Sequence, residues 1–224
     1  MRRVVVILAL IALALPMAAW ADTITTTNQT GTIAISGMSG TNGLGTTGAS
    51  TISSNGSQLT NFTWGGFSAT SGKGGALGTL SFATGTLATG SVAYGGTFNG
   101  GGSFTIAGQG KWMDGLAGSP KGKVTLFSGS FVGPIDWTLT SKVGPKDTFT
   151  LTGNIAGTLY NGVSVTGTTT QNFYTYNGQL VAGVGHITIG NTALSTVPEP
   201  GSLGLLGTGL VGIAGVVRRK LMAS

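Results

Sequence analysis

Apolar and polar residues alternate most regularly between residues 147 and 165. Phe149, Leu151 and Ile155 occupy odd positions there, and threonines fill most of the even positions between them. A period of two is typical of a β-strand with one buried face and one face in water. The dipeptide Asn161-Gly162 interrupts the alternation and favours a type I′ hairpin turn, because both residues tolerate positive φ.

A second Asn-Gly pair, Asn177-Gly178, lies between two further strand-like runs, so residues 147–190 predict a meander of at least three strands. Weaker strand patterns precede it at Thr23–Ile35, Leu77–Phe82, Thr86–Tyr94, Ser103–Ala107, Val124–Val132 and Ile135–Leu139. Small polar and turn-forming residues dominate Gly37–Ser57 and Gly110–Lys123, which we predict to be loops. No segment between the two chain ends has a helical period.

These patterns predict an all-β domain. Gly129–Gly133 and Gly153–Gly157 each place glycines inside a strand pattern, where they allow a long strand to bend. We therefore expect an antiparallel sandwich or a barrel-like sheet with long hairpins. A parallel β-helix is the alternative fold.

The charge of the chain is concentrated at its two ends. The net charge is +6, and five of the eleven cations are Arg2, Arg3, Arg218, Arg219 and Lys220. Between Asp22 and Thr196, six lysines and four aspartates leave a charge of only +2. This middle region has no arginine and so lacks the bidentate fork that suits phosphate, which argues against a nucleic-acid partner. The chain also has no cysteine, which excludes disulfides and thiolate chemistry.

The N-terminus has the three-part pattern of a secretory signal peptide. Arg2 and Arg3 precede the 12-residue apolar run Val4–Leu15, and Pro16 ends that run. The alanines Ala19 and Ala21 occupy the specificity positions of a cleavage site. We predict that the chain is exported by the general secretory route through the secretion translocon. Cleavage is predicted after Ala21, so that the mature chain begins at Asp22.

The C-terminus contains a second apolar element. Gly201–Val217 has 17 residues without charge and would span roughly 25 Å as a helix, the lower limit for crossing a membrane. The cluster Arg218-Arg219-Lys220 follows at once and predicts a cytoplasmic stop. Glycines along the segment weaken it as a helix, which suits a temporary anchor. Val197-Pro198-Glu199-Pro200 precedes it, and the two prolines favour an extended, accessible segment.

The order Pro-Glu-Pro, apolar glycine-rich helix and basic cluster resembles the PEP-CTERM sorting tail. The resemblance rests on Val197, Pro198, Glu199 and Pro200, on the apolar segment, and on Arg218, Arg219 and Lys220. It implies that an exosortase, a membrane-embedded enzyme similar to a cysteine transpeptidase, recognises the tripeptide and removes the tail. It also implies a bacterium that makes exopolysaccharide. The predicted organisation is a signal peptide at 1–21, a β-domain at 22–196 and a sorting tail at 197–224.

The residues of the β-domain form no recognisable catalytic or metal-binding pattern. His186 is the only histidine of the sequence, and we expect it on the solvent face of a strand. The aspartates lie in separate segments, so no paired-carboxylate site is predicted. Trp137 fits a buried strand position, whereas Trp112 is the better candidate for an exposed aromatic. We therefore expect a non-enzymatic protein without cofactor or metal, at the cell surface or in the extracellular matrix. The alternative is a secreted domain that binds or hydrolyses polysaccharide.

Overall fold

Twelve β-strands account for most of the part of the chain that the structure describes. The structure, a computed structural model, describes residues 22–36, 51–72, 75–116, 118, 120–176 and 184–197, together with Gly209 and Gly212. The strands are β1 (Thr23–Gln29), β2 (Thr32–Ser36), β3 (Thr51–Trp64), β4 (Phe67–Thr70), β5 (Gly78–Ala83), β6 (Leu87–Ser91), β7 (Gly95–Phe98), β8 (Gly101–Gln109), β9 (Lys123–Val143), β10 (Lys146–Leu159), β11 (Ser164–Tyr176) and β12 (Val184–Thr196). One short 3₁₀ helix, Lys111–Gly115, lies between β8 and β9.

Eight of the strands close into a barrel. Hydrogen-bonded neighbours follow the order β10-β11-β12-β1-β3-β5-β8-β9, and β9 pairs back with β10. Every pairing is antiparallel, from the β1–β12 pair to the β9–β10 pair. The remaining strands attach at the edges: β2 pairs with β12 and β3, β4 with β3, and the β6–β7 hairpin with β9. The all-β prediction is confirmed in its barrel form, and the parallel β-helix alternative is wrong.

Aromatic side chains fill the barrel interior. Trp137 stacks on Phe149 with ring centroids 4.6 Å apart and planes 7° apart, and it also contacts Phe173 at 5.6 Å. Phe173 contacts Phe82 at 6.2 Å, so the ring contacts cross from one wall of the barrel to another. Strand β10 shows how the sequence produces this core, because its odd-numbered apolar residues are buried as the alternation predicts. Burial of large rings is the main stabilising contribution in such an interior.

The strand β9 is longer than the sequence pattern predicts. The two expected strands Val124–Val132 and Ile135–Leu139 are parts of one 21-residue strand. The register with β10 shifts between Gly153 and Asn154, and Gly133 and Pro134 form the irregularity on the β9 side. Gly133 has φ of 75°, which glycine adopts without strain, and a proline at a bulge removes no ladder hydrogen bond.

The Asn161-Gly162 hairpin is present, but its turn type differs from the prediction. The amide of Gly162 donates to the carbonyl of Leu159 at 2.9 Å, and only Gly162 has positive φ, at 83°. The loop therefore has three residues, a tight turn followed by a left-handed glycine, which is the next most common hairpin form. The prediction of type I′ is wrong. The second predicted turn, Asn177-Gly178, lies outside the described residues.

Two of the predicted loops are only partly loops. Residues 51–57 belong to β3, so the prediction for Gly37–Ser57 is wrong there, and residues 37–50 lie outside the described residues. The Gly110–Lys123 segment contains the 3₁₀ helix. The expected strand Thr23–Ile35 is divided into β1 and β2 at Thr30-Gly31, where both residues have positive φ.

The barrel and its attached strands all lie within Asp22–Thr196, which forms one compact unit. The predicted signal peptide, residues 1–21, is outside the described residues, and of the predicted tail only Val197, Gly209 and Gly212 are described. Within the described parts of the chain, no helix has both the length and the apolar character needed to cross a membrane.

Candidate functional site

Both termini of the β-domain lie at the same end of the barrel, which we call the terminal end. Thr23 is the register partner of Ser195, and the amide of Thr196 donates to the carbonyl of Asp22 at 3.2 Å. Because neighbouring strands run in opposite directions, the loop from β8 to β9 and the turn from β10 to β11 lie at this end too. The terminal end therefore combines the predicted start of the mature chain with the start of the tail.

The predicted sorting residues are described only where they join the barrel. Asp22 and Val197 are both exposed, and Val197 directly follows the last residue of β12. Pro198, Glu199 and Pro200 lie outside the described residues. So do the predicted cleavage-site residues Ala19 and Ala21 and the predicted stop cluster Arg218, Arg219 and Lys220. Their predicted roles stay predictions.

The 3₁₀ helix closes part of the terminal end. Its Met113 is completely buried, and the adjacent Trp112 packs against Phe62 at 5.2 Å between ring centroids. The indole nitrogen of Trp112 donates to the carbonyls of Leu77 and Gln109, each at 2.8 Å. Trp112, the better sequence candidate for an exposed aromatic, is half-buried, and the carbonyls of Leu77 and Gln109 accept its indole donor.

A second aromatic pair closes the barrel beside this helix. Trp64 and Tyr160 meet edge to face, with ring centroids 5.9 Å apart. Desolvation by burial raises the pKa of the Tyr160 phenol above its ordinary value of 10.0. A cavity of about 10 Å³ beneath the pair is lined by apolar side chains such as Ile24 and Leu194 and is far smaller than a ligand site.

A charged cleft lies on the outside of the β8–β9 loop. Its volume is about 380 Å³, and its lining includes Gln109, Lys111, Asp114, Pro120, Lys121 and Lys123. We call it the lysine cleft. Lys121 and Asp114 form an ion pair within it. This site was not predicted from the sequence, although three of the six lysines of the domain fall within the thirteen residues 111–123, which is a visible signal.

His186 belongs to a cluster on the outer wall at the other end of β11 and β12. It is half-exposed on β12, as expected, and stacks on Tyr174 with ring centroids 5.2 Å apart. Tyr174 contacts Tyr176 at 5.2 Å, and the ammonium of Lys146 lies 4.6 Å from the centre of the Tyr174 ring. Ring stacking and a cation–π contact hold these side chains together. These contacts stabilise the outer wall and account for the position of His186.

The two aspartates of β9 and β10, Asp136 and Asp147, lie too far apart to form a catalytic pair. Asp136 is on the outer wall opposite Thr152 in the register, and Asp147 lies five residues before Thr152 on β10. Five strand residues extend about 17 Å, beyond the separation of about 5–10 Å in a paired-carboxylate hydrolase. Within the described residues, no group of three or more His, Cys, Asp or Glu could hold a metal ion.

A polar network inside the barrel also escaped the sequence analysis. Asn28 donates to Ser57 at 2.7 Å and to Gln171 at 2.9 Å, and Gln171 donates to Thr169 at 2.9 Å. Asn28 and Gln171 are completely buried. The period of two in β11 could have found Gln171, because it shares the parity of the buried Phe173. These satisfied amides help to fix which strands are neighbours, a role buried polar groups have in some proteins.

One comparison with known proteins identifies part of this chain. The PEP-CTERM protein-sorting motif matches residues 196–220, beginning at the last residue of β12. This motif indicates exosortase-dependent sorting of an exported precursor that passes a membrane on its way to the cell envelope. No curated protein and no solved structure matches the chain.

Proposed function

Because the chain carries a PEP-CTERM sorting tail at residues 196–220, we propose that its β-barrel is a non-enzymatic component of the cell surface or extracellular matrix. The observation that carries this proposal is the completeness of the barrel without its tail. All twelve strands and the pairings that close the ring lie within Asp22–Thr196. Removing every residue after Thr196 would therefore release an intact domain.

The tail serves as a temporary anchor in this proposal. The apolar segment 201–217 is only just long enough to cross a membrane, and its glycines lower its helical stability. Exosortase recognises Pro198-Glu199-Pro200, and Arg218-Arg219-Lys220 holds the end of the tail in the cytoplasm. Val197 is exposed and directly follows the last strand of the barrel. A processing enzyme can therefore approach the chain at the point where the tail begins.

A non-enzymatic role is supported by how the side chains are distributed. The interior of the barrel is filled by aromatic rings and by hydrogen-bonded amides. On the outer wall, Thr27, Thr152 and Thr170 lie in one cross-strand row with Asn191. Hydroxyl and amide groups of this kind bind water or sugars but carry no charge for acid–base catalysis.

The alternative is a secreted domain that binds or hydrolyses extracellular polysaccharide. The lysine cleft favours the binding form of this alternative, because its volume of about 380 Å³ falls within the range of ligand sites. The hydrolytic form has less support, since the distance between Asp136 and Asp147 along the wall is too large for a retaining or inverting pair.

Mass spectrometry of the mature protein tests the sorting part of the proposal. We expect an N-terminus at Asp22 and the loss of residues through Ser224 in cells that have exosortase. In cells without exosortase, the tail should remain. Glu199→Ala should leave export intact and stop processing, whereas the matched change of an acid in the barrel wall, Asp136→Ala, should affect neither. An intact Ser224 in mature protein from exosortase-containing cells would contradict the proposal.

A hydrolysis screen tests the non-enzymatic part. Purified Asp22–Thr196 is incubated with acidic and neutral polysaccharides, and reducing ends are measured over time. We expect no release above the blank. Release that disappears in Asp136→Asn or Asp147→Asn would assign the domain to the hydrolytic alternative.

A further inference from the structure

The lysine cleft has a surplus of positive charge that the protein itself does not neutralise. We propose that it binds a polysaccharide chain bearing carboxylate groups, an inference that rests on the proposed surface or matrix location. Lys121 is paired with Asp114, and within the described residues no carboxylate lies within ion-pair distance of Lys111 or Lys123. Two ammonium groups are therefore available to an anionic ligand in one concave site.

The backbone on both sides of the lysine cleft is attached to the barrel. Lys111 and Asp114 project from the 3₁₀ helix, whose Met113 is completely buried in the barrel end. The hydrogen bonds from Trp112 to Leu77, which precedes β5, and to Gln109, the last residue of β8, hold the same helix in place. On the other side, Lys123 is the first residue of β9. Because both sides are attached to the barrel, the backbone of the cleft is held in place before a ligand binds, and only the lysine side chains have to be ordered.

Asp114 competes with an anionic ligand for the ammonium group of Lys121. Its ion pair with Lys121 is exposed, with 51% of the Asp114 side chain and 72% of the Lys121 side chain accessible. An exposed ion pair contributes little free energy, so a ligand carboxylate can share Lys121 at low cost. Replacing Asp114 by a neutral residue should therefore strengthen the binding of anions.

The chemistry of the cleft favours a carboxylate-bearing glycan over other polyanions. The site is a shallow, open cleft, which suits a single polymer chain better than the broad surface of an anionic bilayer. Nucleic acids are bound through arginine forks and exposed aromatic rings, but the cleft has lysines only, and the Trp112 ring packs against Phe62 and Phe67. Lysines spaced along a cleft suit the repeated point charges of an acidic polymer.

The test measures binding of purified Asp22–Thr196 to three probes at low salt, because screening weakens such interactions. The probes are polygalacturonate, in which every sugar carries a carboxylate, neutral dextran, and vesicles containing phosphatidylglycerol. The variant is Lys111→Gln with Lys123→Gln. The control for charge is Lys142→Gln with Lys146→Gln, which removes the same charge at the opposite end of the barrel. Circular dichroism checks that this variant is folded, because Lys142 pairs with Asp147 and Lys146 lies over the Tyr174 ring. A third protein carries Asp114→Asn.

We expect the protein to bind polygalacturonate and not dextran, with affinity that falls about tenfold in the cleft variant, as for the loss of two exposed ion pairs. The control should change less than about twofold, since screening limits distant charges. Asp114→Asn should bind more tightly. Equal loss in the two double variants, equal binding of dextran, or a preference for the vesicles would overturn the inference.

The result is separable from the proposed function. If the protein reaches the cell surface and is processed, but polygalacturonate does not bind, only the cleft assignment fails. If the chain is never exported or processed, the proposed function fails whatever the cleft binds.

Discussion

Asp22 and Thr196 are neighbours at the terminal end of the barrel, where the Thr196 amide donates a 3.2 Å hydrogen bond to the Asp22 carbonyl. They are the first and last residues of a domain in which the first strand pairs with the last. A chain with adjacent ends can be joined there and opened elsewhere without changing its contacts.

We predict that a circular permutant of the barrel will fold. Asp22 and Thr196 are joined by a short glycine linker, and the chain is opened between Gly144 and Pro145 in the exposed β9–β10 turn. The melting temperature by circular dichroism should fall by less than about 8 °C, equivalent to one or two kcal/mol in a domain of this size. Opening the chain inside β9, at Ser130, is the control and should abolish folding. A permutant opened at the turn that fails to fold would contradict the adjacency of the ends.

The buried amide network predicts a large effect of one added methyl group. In Gly190→Ala, the new Cβ would overlap the side-chain oxygens of Gln171 and Asn28. We expect the free energy of unfolding to fall by about 1–3 kcal/mol, as for other overpacked sites. Gly72→Ala is the control, because no atom lies within 4 Å of its Cβ position, and it should change stability by less than about 0.5 kcal/mol. Urea unfolding measures both, and equal effects would disprove the packing argument.

Replacing the core tryptophan Trp137 should lower the free energy of unfolding, because both packing and a hydrogen bond are lost. The Trp137 indole donates to the buried carbonyl of Val92 at 2.7 Å, and Trp137→Phe removes that donor and part of the ring. We expect a loss of about 2–4 kcal/mol, because an orphaned buried acceptor adds to the cavity cost. Trp64→Phe, at a half-buried position, should lose less than half as much. A similar loss in both variants would show that the Val92 contact contributes little.

We predict that the protein becomes less stable in alkali because of the partly buried Tyr160 phenol. Burial raises its pKa in the folded state above 10.0, so between the unfolded and folded values the folded protein holds more protons. Its contribution is therefore complete below about pH 10 and decreases as the pH rises through the folded value. The urea midpoint should fall less steeply above pH 10 in Tyr160→Phe than in the parent. Tyr94→Phe, whose side chain is 70% exposed, should keep the parent slope, and identical slopes in all three would contradict the prediction.

The sequence was informative wherever the local alternation decides the structure. The odd-numbered apolar residues of β10 are buried and the hairpin at Asn161-Gly162 is present, because both depend on residues close together in the chain. The signal for the sorting tail was equally local. The turn type was wrong because Asn161 does not adopt positive φ, which the tertiary register of β10 and β11 determines.

Contacts between distant segments could not be obtained from alternation. Closure of the ring depends on β1 pairing with β12, whose partners are more than 150 residues apart. The burial of Trp112 depends on the carbonyl of Leu77, which is 35 residues away in sequence. The lysine cleft likewise requires the loop to fold back on the start of β9. A single sequence does not specify such pairings, because several registers satisfy the same alternation.

The pairing of β1 with β12 means that the barrel can close only after the last strand has been exported. The ring lacks a wall until residue 196 is on the far side of the membrane, since β12 supplies partners to both β1 and β11. A chain exported with its N-terminus first therefore cannot close the ring before β12 has followed. When the last strand emerges, only the sorting tail is still inside. We therefore expect the barrel to be completed at about the time when the tail reaches its processing enzyme.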